Sequence, residues 1–175
     1  AWKSLGTKLV REVARVDSGR HSVLALGEPA ELVTDAVHGL GDAAHIAEVA
    51  LAMRGQPREF YRASDVRLRG LISLLQNDPR VQAFAETELK ALLAVETAVA
   101  STDLTMLREY LRLGGNKAAL AQHLHISRPA LYKRLAAIER TLGVDLADAE
   151  SMVSLHVAML VLEVRRGGDV GVPTG

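Results

Sequence analysis

The sequence predicts a mostly α fold, with a C-terminal helix-turn-helix bundle preceded by a small α/β element. Three observations carry this prediction. From Ser64 onward apolar residues recur every three to four positions, the period of a helix with one buried face. Capping residues and Gly or Pro breaks punctuate that pattern at regular intervals. Only two short runs, 21–26 and 59–63, read as strands instead.

The elements follow in order. Trp2, Leu5, Leu9, Val13 and Val16 mark an amphipathic first helix that ends at Asp17-Ser18-Gly19. The run 21–26 closes at Gly27 and Pro29, and 31–37 has room for a turn or two of helix. Gly39-Leu40-Gly41-Asp42 reads as a loop, with Asp42 capping an Ala-rich helix over 43–53 that Gly55-Gln56-Pro57 stops. Ser64 or Asp65 caps the next helix, through Leu68, Leu71, Ile72 and Leu75. Asn77-Asp78 breaks it and Pro79 starts another, because proline suits a first helical turn. That helix carries Val81, Phe84, Leu89, Leu92, Leu93 and Val95. Ser101-Thr102-Asp103 opens a third, with Leu104, Leu107, Tyr110 and Leu111 inward, and Gly114-Gly115 ends it. Asn116 caps a short helix that ends near Leu124. His125-Ile126-Ser127 forms a turn, and Ser127 caps a helix running to Leu142 and stopping at Gly143. Asp148 caps the last helix, from 149 to about 166. The expected division is a small α/β element at 1–63, a helical connector at 64–100, a helix-turn-helix domain at 101–166 and a disordered tail at 167–175. The chain opens without methionine and directly into helix-like sequence, which suggests a piece of a longer protein.

Composition bounds the function. The 175 residues are 49% apolar, enough for a core, but only 3% aromatic, so Leu, Val and Ala must fill it. Net charge is zero, so a nucleic-acid surface has to come from local clustering. The absence of cysteine excludes disulfides and thiolate metal sites and suits a reducing cytoplasm. The longest strongly apolar run, 157–162, is far short of the ~20 residues that cross a bilayer. No membrane partner is expected.

The charges do cluster. Between Gly114 and Leu142, Lys117, Arg128, Lys133, Arg134 and Arg140 stand against Glu139 alone, five minus one. The same stretch has the spacing of two crossed helices, which touch at Leu120, Ala121, Leu124, Ile126, Leu131 and Leu135. On the second helix Leu131, Leu135, Ile138 and Leu142 share one stripe. Pro129, Lys133, Ala136 and Arg140 then face the opposite way, with Arg128 and Tyr132 on a shoulder. A helix-turn-helix places such a second helix in the major groove of DNA, where its first turns meet base edges. Arg128, Tyr132 and Lys133 are the expected base readers, because arginine pairs bidentately with guanine. Asn116 and Lys117, at the start of the first helix, are placed for phosphate, as are Lys133, Arg134 and Arg140. Arg134 lies nearest the core stripe, so a phosphate or intramolecular role suits it better than base reading. Ser127 and Pro129 complete the candidate set.

The stretch LTMLREYLRLGGNKAALAQHLHISRPALYKRLAAIERTLGVDLADAESMVSLHVAMLVL resembles the C-terminal helix-turn-helix of the PucR/CdaR family of bacterial transcription regulators. It follows the family's order of a leading helix, a GGN break, A-x-x-L, L-Y-K-R-L, G-V-D-L and a final apolar helix. GNKAALAQHLHISRPALYKRL is also similar to the helix-turn-helix of the Fis/NtrC type. Where the family usually carries His-Arg-Asn-Thr, this chain has Ser127-Arg128-Pro129-Ala130, so Arg128 is kept and the two polar residues after it are replaced. Upstream, VLALGEPAELVTDAVHGLGDAAHIAEVALAM and EFYRASDVRLRGLISLL resemble the end of that family's degenerate GGDEF-like domain, which is α/β and generally not a cyclase. No GGDEF motif is present.

The resemblance implies sequence-specific DNA binding in transcription control, by a recognition helix at about 127–142 and as a homodimer on double-stranded DNA. It implies no enzymatic activity, no cofactor and no metal, and it places any small-molecule effector outside this stretch of chain. The competing reading is a dimerisation and signal-relay module whose helix-turn-helix no longer contacts DNA. Other features read as structural. Gly39-Leu40-Gly41 lacks the third glycine of a dinucleotide loop. His123 and His125 do not share a helix face, and His21, His38, His45 and His156 are dispersed. Asp145, Asp148 and Glu150 read as a loop and a helix cap. The last helix is apolar on more than one face, which means burial either in its own domain or against a second copy.

Overall fold

A computed structural model of the chain describes residues 2–16, 22–53, 58–94 and 98–168, with eight α-helices among them and no strand. The helices are α1 (Trp2–Val16), α2 (Val33–Ala52), α3 (Ala63–Leu75), α4 (Pro79–Leu93), α5 (Ala98–Arg112), α6 (Lys117–His123), α7 (Arg128–Leu142) and α8 (Ala149–Gly168). They group into two compact units, one up to Leu75 and one over Gln76–Arg165. The expected ends at Asp17-Ser18-Gly19 and Gly55-Gln56-Pro57, the start of the first strand at His21, Val95, and the tail from 169 lie outside the described residues.

The N-terminal unit departs from the expected α/β element. The two β-like runs meet only at one parallel bridge, Ala25 to Tyr61. Leu26 N donates to Tyr61 O at 2.8 Å and Tyr61 N to Leu24 O at 2.8 Å, and the pairing stops there. Gly27 and Pro29 follow on one side and α3 starts at Ala63 on the other, so neither run has the length for a ladder, and a lone strand pair is marginal in water. Packing holds the segments instead: Ile46, Val49, Ala50, Tyr61 and Val66 form a core against which Val23, Ala25 and Met53 lie.

The loop expected at Gly39–Asp42 is also absent. α2 runs unbroken through both glycines. A glycine inside a helix costs about 1 kcal/mol relative to alanine, which neighbouring packing can offset. Gly27 shows what lies beside it: a Cβ there would come within 2.7 Å of Gly39 O, so the chain can cross α2 at that point only without a side chain. α3 begins at Ala63, so neither Ser64 nor Asp65 is its N-cap residue, and Asp65 instead reaches back from the first turn as acceptor for Arg62 N at 2.9 Å. Arg67 interrupts α3 with φ 44° and ψ −125°, while its Nε donates to Ser64 O at 3.1 Å. α5 starts three residues before the expected Ser101, since Ala98-Val99-Ala100 contains nothing that breaks a helix. α8 extends through Gly168, past the expected end near 166.

The C-terminal unit follows the predicted order. α4 packs on α5 and α7, α5 on α6 and α7, and α6 on α7. α8 buries Leu155, Ala158, Met159, Leu160, Val161 and Leu162, so its apolar faces are core, and Val153 alone of its large apolar side chains is well exposed. α4 starts at Pro79 as its sequence predicts, and Asp78 caps it. Asp78 Oδ1 accepts from Arg80 N at 2.8 Å, and Asp78 Oδ2 meets Arg80 Nη2 at 2.6 Å. The side-chain bond to Arg80, then the backbone bond, hold the Asp78 carboxyl at about 2 against an ordinary 3.8. A folded value below the unfolded one means that this contribution is complete above about pH 4. It is lost as pH falls through the interval toward 2. Asp78→Ala should therefore narrow the difference in urea midpoint between pH 5 and pH 2.5 relative to the parent chain. An unchanged difference would remove Asp78 from the acid response.

Candidate nucleic-acid interface

The site begins with the break between α5 and α6. Gly114 and Gly115 have φ of 58° and 77°. Gly115 N donates back to Tyr110 O at 3.0 Å, closing the end of α5. A Cβ at Gly115 would press on Tyr110 Oη and Met152 Sδ, both 3.2 Å away, so both the turn and the packing require glycine there. Asn116 caps α6, with Oδ1 accepting from Ala119 N at 3.0 Å. α6 buries Leu120 completely and Ala121 nearly so. Small Ala121 lets its backbone come close to the turn, where Ile126 N donates to Ala121 O at 3.1 Å.

His125 makes the turn. Its φ of 52° is left-handed, a conformation that costs a non-glycine residue roughly 1–2 kcal/mol. Ser127 then caps α7, its Oγ facing Ala130 N at 3.4 Å, and Pro129 sits in the first turn. Leu131, Leu135 and Ile138 are 0%, 2% and 0% exposed, so the stripe read from spacing is the buried one. Each such burial contributes roughly 1.5–3 kcal/mol. α7 ends at left-handed Gly143, whose N donates to Glu139 O at 2.8 Å.

With that stripe inward, Arg128, Pro129, Tyr132, Lys133 and Arg140 are exposed. The ion pairs sort the cations of this unit. Arg80 pairs with Asp78, Arg108 with Glu163, Arg112 with Glu109, Arg134 with Asp103 and Arg165 with Glu86. Lys117, Arg128, Lys133 and Arg140 have no carboxylate partner among the described residues, and all four belong to α6 and α7. Lys90 is the remaining cation of the unit in that condition, away on α4. Lys117 Nζ lies 5.2 Å from the centre of the Tyr132 ring, a cation–π contact that ties the start of α6 to the exposed face of α7. Arg134 Nη2 stands 3.3 Å from Asp103 Oδ1 on α5, an intramolecular role that orients α7 against α5. A shallow open depression between the two helices is lined by Asn116, Gln122, His125 and Arg128 among others.

Sequence spacing did not reveal three of these features. The left-handed turn residue is histidine, where the usual signal would be glycine. Asp103 and Lys117 find their partners across 31 and 15 positions of sequence, beyond any local pattern. The third is the junction below α7. Leu146 is fully buried, its N donates to Glu139 Oε1 at 3.1 Å, and Tyr110 Oη donates to its carbonyl at 3.2 Å. Burial, then the charges of Glu139 and Asp145, push the Tyr110 hydroxyl above its ordinary value of 10.0, so it stays a donor.

The acids that close the unit form a loop turn and a helix cap, as expected. Asp145 Oδ1 accepts from Ala147 N and Asp148 Oδ2 from Ser151 N, each at 2.7 Å. The Ser151 backbone bond lowers the Asp148 carboxyl below its usual range. Among the described residues no group of three or more His, Asp or Glu gathers as a metal site, and no helix is long and apolar enough to cross a membrane.

Two capped helices, a tight turn and an outward row of unpaired cations are thus in place. Residues 104–161 match the family model of the PucR C-terminal helix-turn-helix domain. The match begins in α5 and ends in α8, so it takes in the break, both crossed helices and the junction at Leu146. No curated protein and no solved structure matches the chain. A PucR-type helix-turn-helix is a DNA-binding regulatory domain rather than a catalytic one, which agrees with the charge distribution on α6 and α7.

The turn offers a direct check on the local geometry. His125→Gly removes the left-handed penalty and returns part of it through the freer unfolded chain. The substitution should raise stability by up to about 1 kcal/mol in urea titration. A loss of stability would mean that the His125 side chain, not its backbone, holds the turn.

Proposed function

We propose that the chain is a sequence-specific DNA-binding transcription regulator of the PucR type, acting in the cytoplasm with α7 in the major groove and as a pair on double-stranded DNA. The observation that carries the reading is the segregation of charge: the cations of the C-terminal unit that lack carboxylate partners gather, all but Lys90, on the outward edges of α6 and α7. Phosphate contacts supply affinity and base contacts supply choice. Lys117, Lys133 and Arg140 dock on the backbone, helped by Asn116 at the start of α6. Arg128, Tyr132 and Lys133 read bases, with Arg128 in the first turn of α7, where side chains reach base edges. Ser127 and Pro129 set that turn, and Arg134 holds α7 through Asp103. We read residues 101–166 as the DNA-binding domain and 64–100 as its connector. We read residues 1–63 as a reduced form of a GGDEF-like domain on sequence resemblance alone.

The test begins by selecting a preferred duplex from a random pool with the full chain. Arg128→Ala should then lower the preference for that duplex over random DNA by ~1–3 kcal/mol. Equal weakening on both DNAs would deny Arg128 a base-reading role. Lys133→Ala should flatten the salt dependence of binding by about one counterion. A slope that does not change would take Lys133 off the phosphate. Failure of the full chain to bind any duplex at modest salt would overturn the reading in favour of a relay module.

A further inference from the structure

α2 has two apolar faces and uses one. Ile46, Val49 and Ala50 are buried, and His45 Nε2 lies 3.1 Å from Gly70 O on α3, so this face is committed to its own unit. On the opposite side Val33, Val37, Leu40, Ala44, Ala47 and Leu51 follow at steps of four, three, four, three and four, an unbroken heptad seam along the whole helix. The seam is open: Val33 is 81% exposed, Val37 60%, Leu40 67% and Leu51 53%. Residues 31–38 are exposed throughout, so the first turns of α2, before Gly39, have little support from their own unit. Helical turns that lack packing are marginal in water.

The sizes along the seam decide what fits it. Positions 33 and 51, 37 and 47, and 40 and 44 are equidistant from position 42. If a second α2 is laid antiparallel about a two-fold axis there, Val37 meets Ala47 of the copy and Leu40 meets Ala44. Val33 and Leu51 close the ends. Bulky residues then face small ones layer by layer, as interdigitating packing requires. A parallel pairing would set Leu40 on Leu40 and Ala44 on Ala44, leaving voids at the alanines.

Charge favours the same arrangement. Asp35 and Asp42 follow the seam residues Val33 and Leu40 by two positions, which puts them on the far side of the helix. Glu48 flanks the seam, and antiparallel pairing moves it about 18 Å along the axis from its copy, beyond the screening length at physiological salt. Nothing charged lies in the seam itself. Each copy thus presents the same patch to the other, the isologous contact of a two-fold dimer.

We propose that the chain dimerises through this seam, α2 against α2 of a second copy, antiparallel and centred on Asp42. The inference deepens the paired reading given above and rests on it. The experiment uses the full chain without DNA, so that failure of either claim is visible separately. Sedimentation should give the mass of two chains, and Leu40→Glu should halve it, with any fall in helix content by circular dichroism no greater than the first turns of α2. Ala44→Leu should also give single chains, because it overfills the layer against Leu40. The chain has no cysteine, so two further variants fix the orientation even where Leu40→Glu fails to fold. Val37→Cys chains mixed with Ala47→Cys chains should form a covalent dimer on mild oxidation, and neither should do so alone. A parent chain of single mass, a Leu40→Glu chain that stays double, a tighter Ala44→Leu pair, or cross-linking of Val37→Cys alone would each overturn the proposal. A double chain that ignores DNA would leave the seam standing and overturn the DNA reading instead.

Discussion

Burial of Leu131, Leu135 and Ile138 fixes the roll of α7, and nearly everything else in the C-terminal unit depends on that angle. Three side chains with essentially no exposure leave a helix one way to lie. Lys133 and Arg140 sit about half a turn from the stripe, so burying it turns them to solvent without any contact of their own. A roll by one position would bring Tyr132 toward the core and Leu131 out of it. A roll by two would bury a lysine without a partner, which costs far more than the leucines gain.

The electrostatics of this unit follow from the same constraint. Cations that lie between packed helices meet carboxylates there: Arg108 reaches Glu163 and Arg134 reaches Asp103. Arg80, Arg112 and Arg165 are exposed and pair with acids beside them, whereas the outward cations of α6 and α7 meet none. Half-exposed pairs of this kind contribute at most about 1 kcal/mol. Their larger effect is on the surface, because each internal pairing removes a cation from the field around the protein. Within this unit, what remains for an anionic polymer is therefore concentrated at α6 and α7, with Lys90 apart on α4.

The part of the chain that was legible is the part governed by local rules. Asn116, Ser127 and Asp148 cap helices because each has a side-chain oxygen at the entry of an apolar period. Gly115 and Gly143 end helices because no other residue takes their φ at low cost. The crossed pair α6 and α7 needed nothing further. The N-terminal unit is decided by contacts distant in sequence, and local rules failed on it. Gly39 and Gly41 look like a loop, yet Gly27 crosses the helix that runs through them, and the packing of α2 on α3 outweighs the cost of both. Val23 and Ala25 look like strand residues, yet their partners are Ile46, Val49 and Tyr61 rather than a neighbouring ladder. At the site, spacing placed the exposed residues of α7. It was silent on Asp103 beneath Arg134 and on the contact between Lys117 and Tyr132, since neither partner lies within a helical turn of the other.

The junction at Leu146 has a mechanical consequence. One buried residue is gripped from two helices, by the Tyr110 hydroxyl from α5 and by the Glu139 carboxylate from α7, at the point where the chain turns toward α8. The inner geometry of α5 to α8 is thereby locked, and deforming it would strand a carboxylate or a phenol away from water. A signal that governs such a body has little purchase on its internal form. It must act on where the whole body is held.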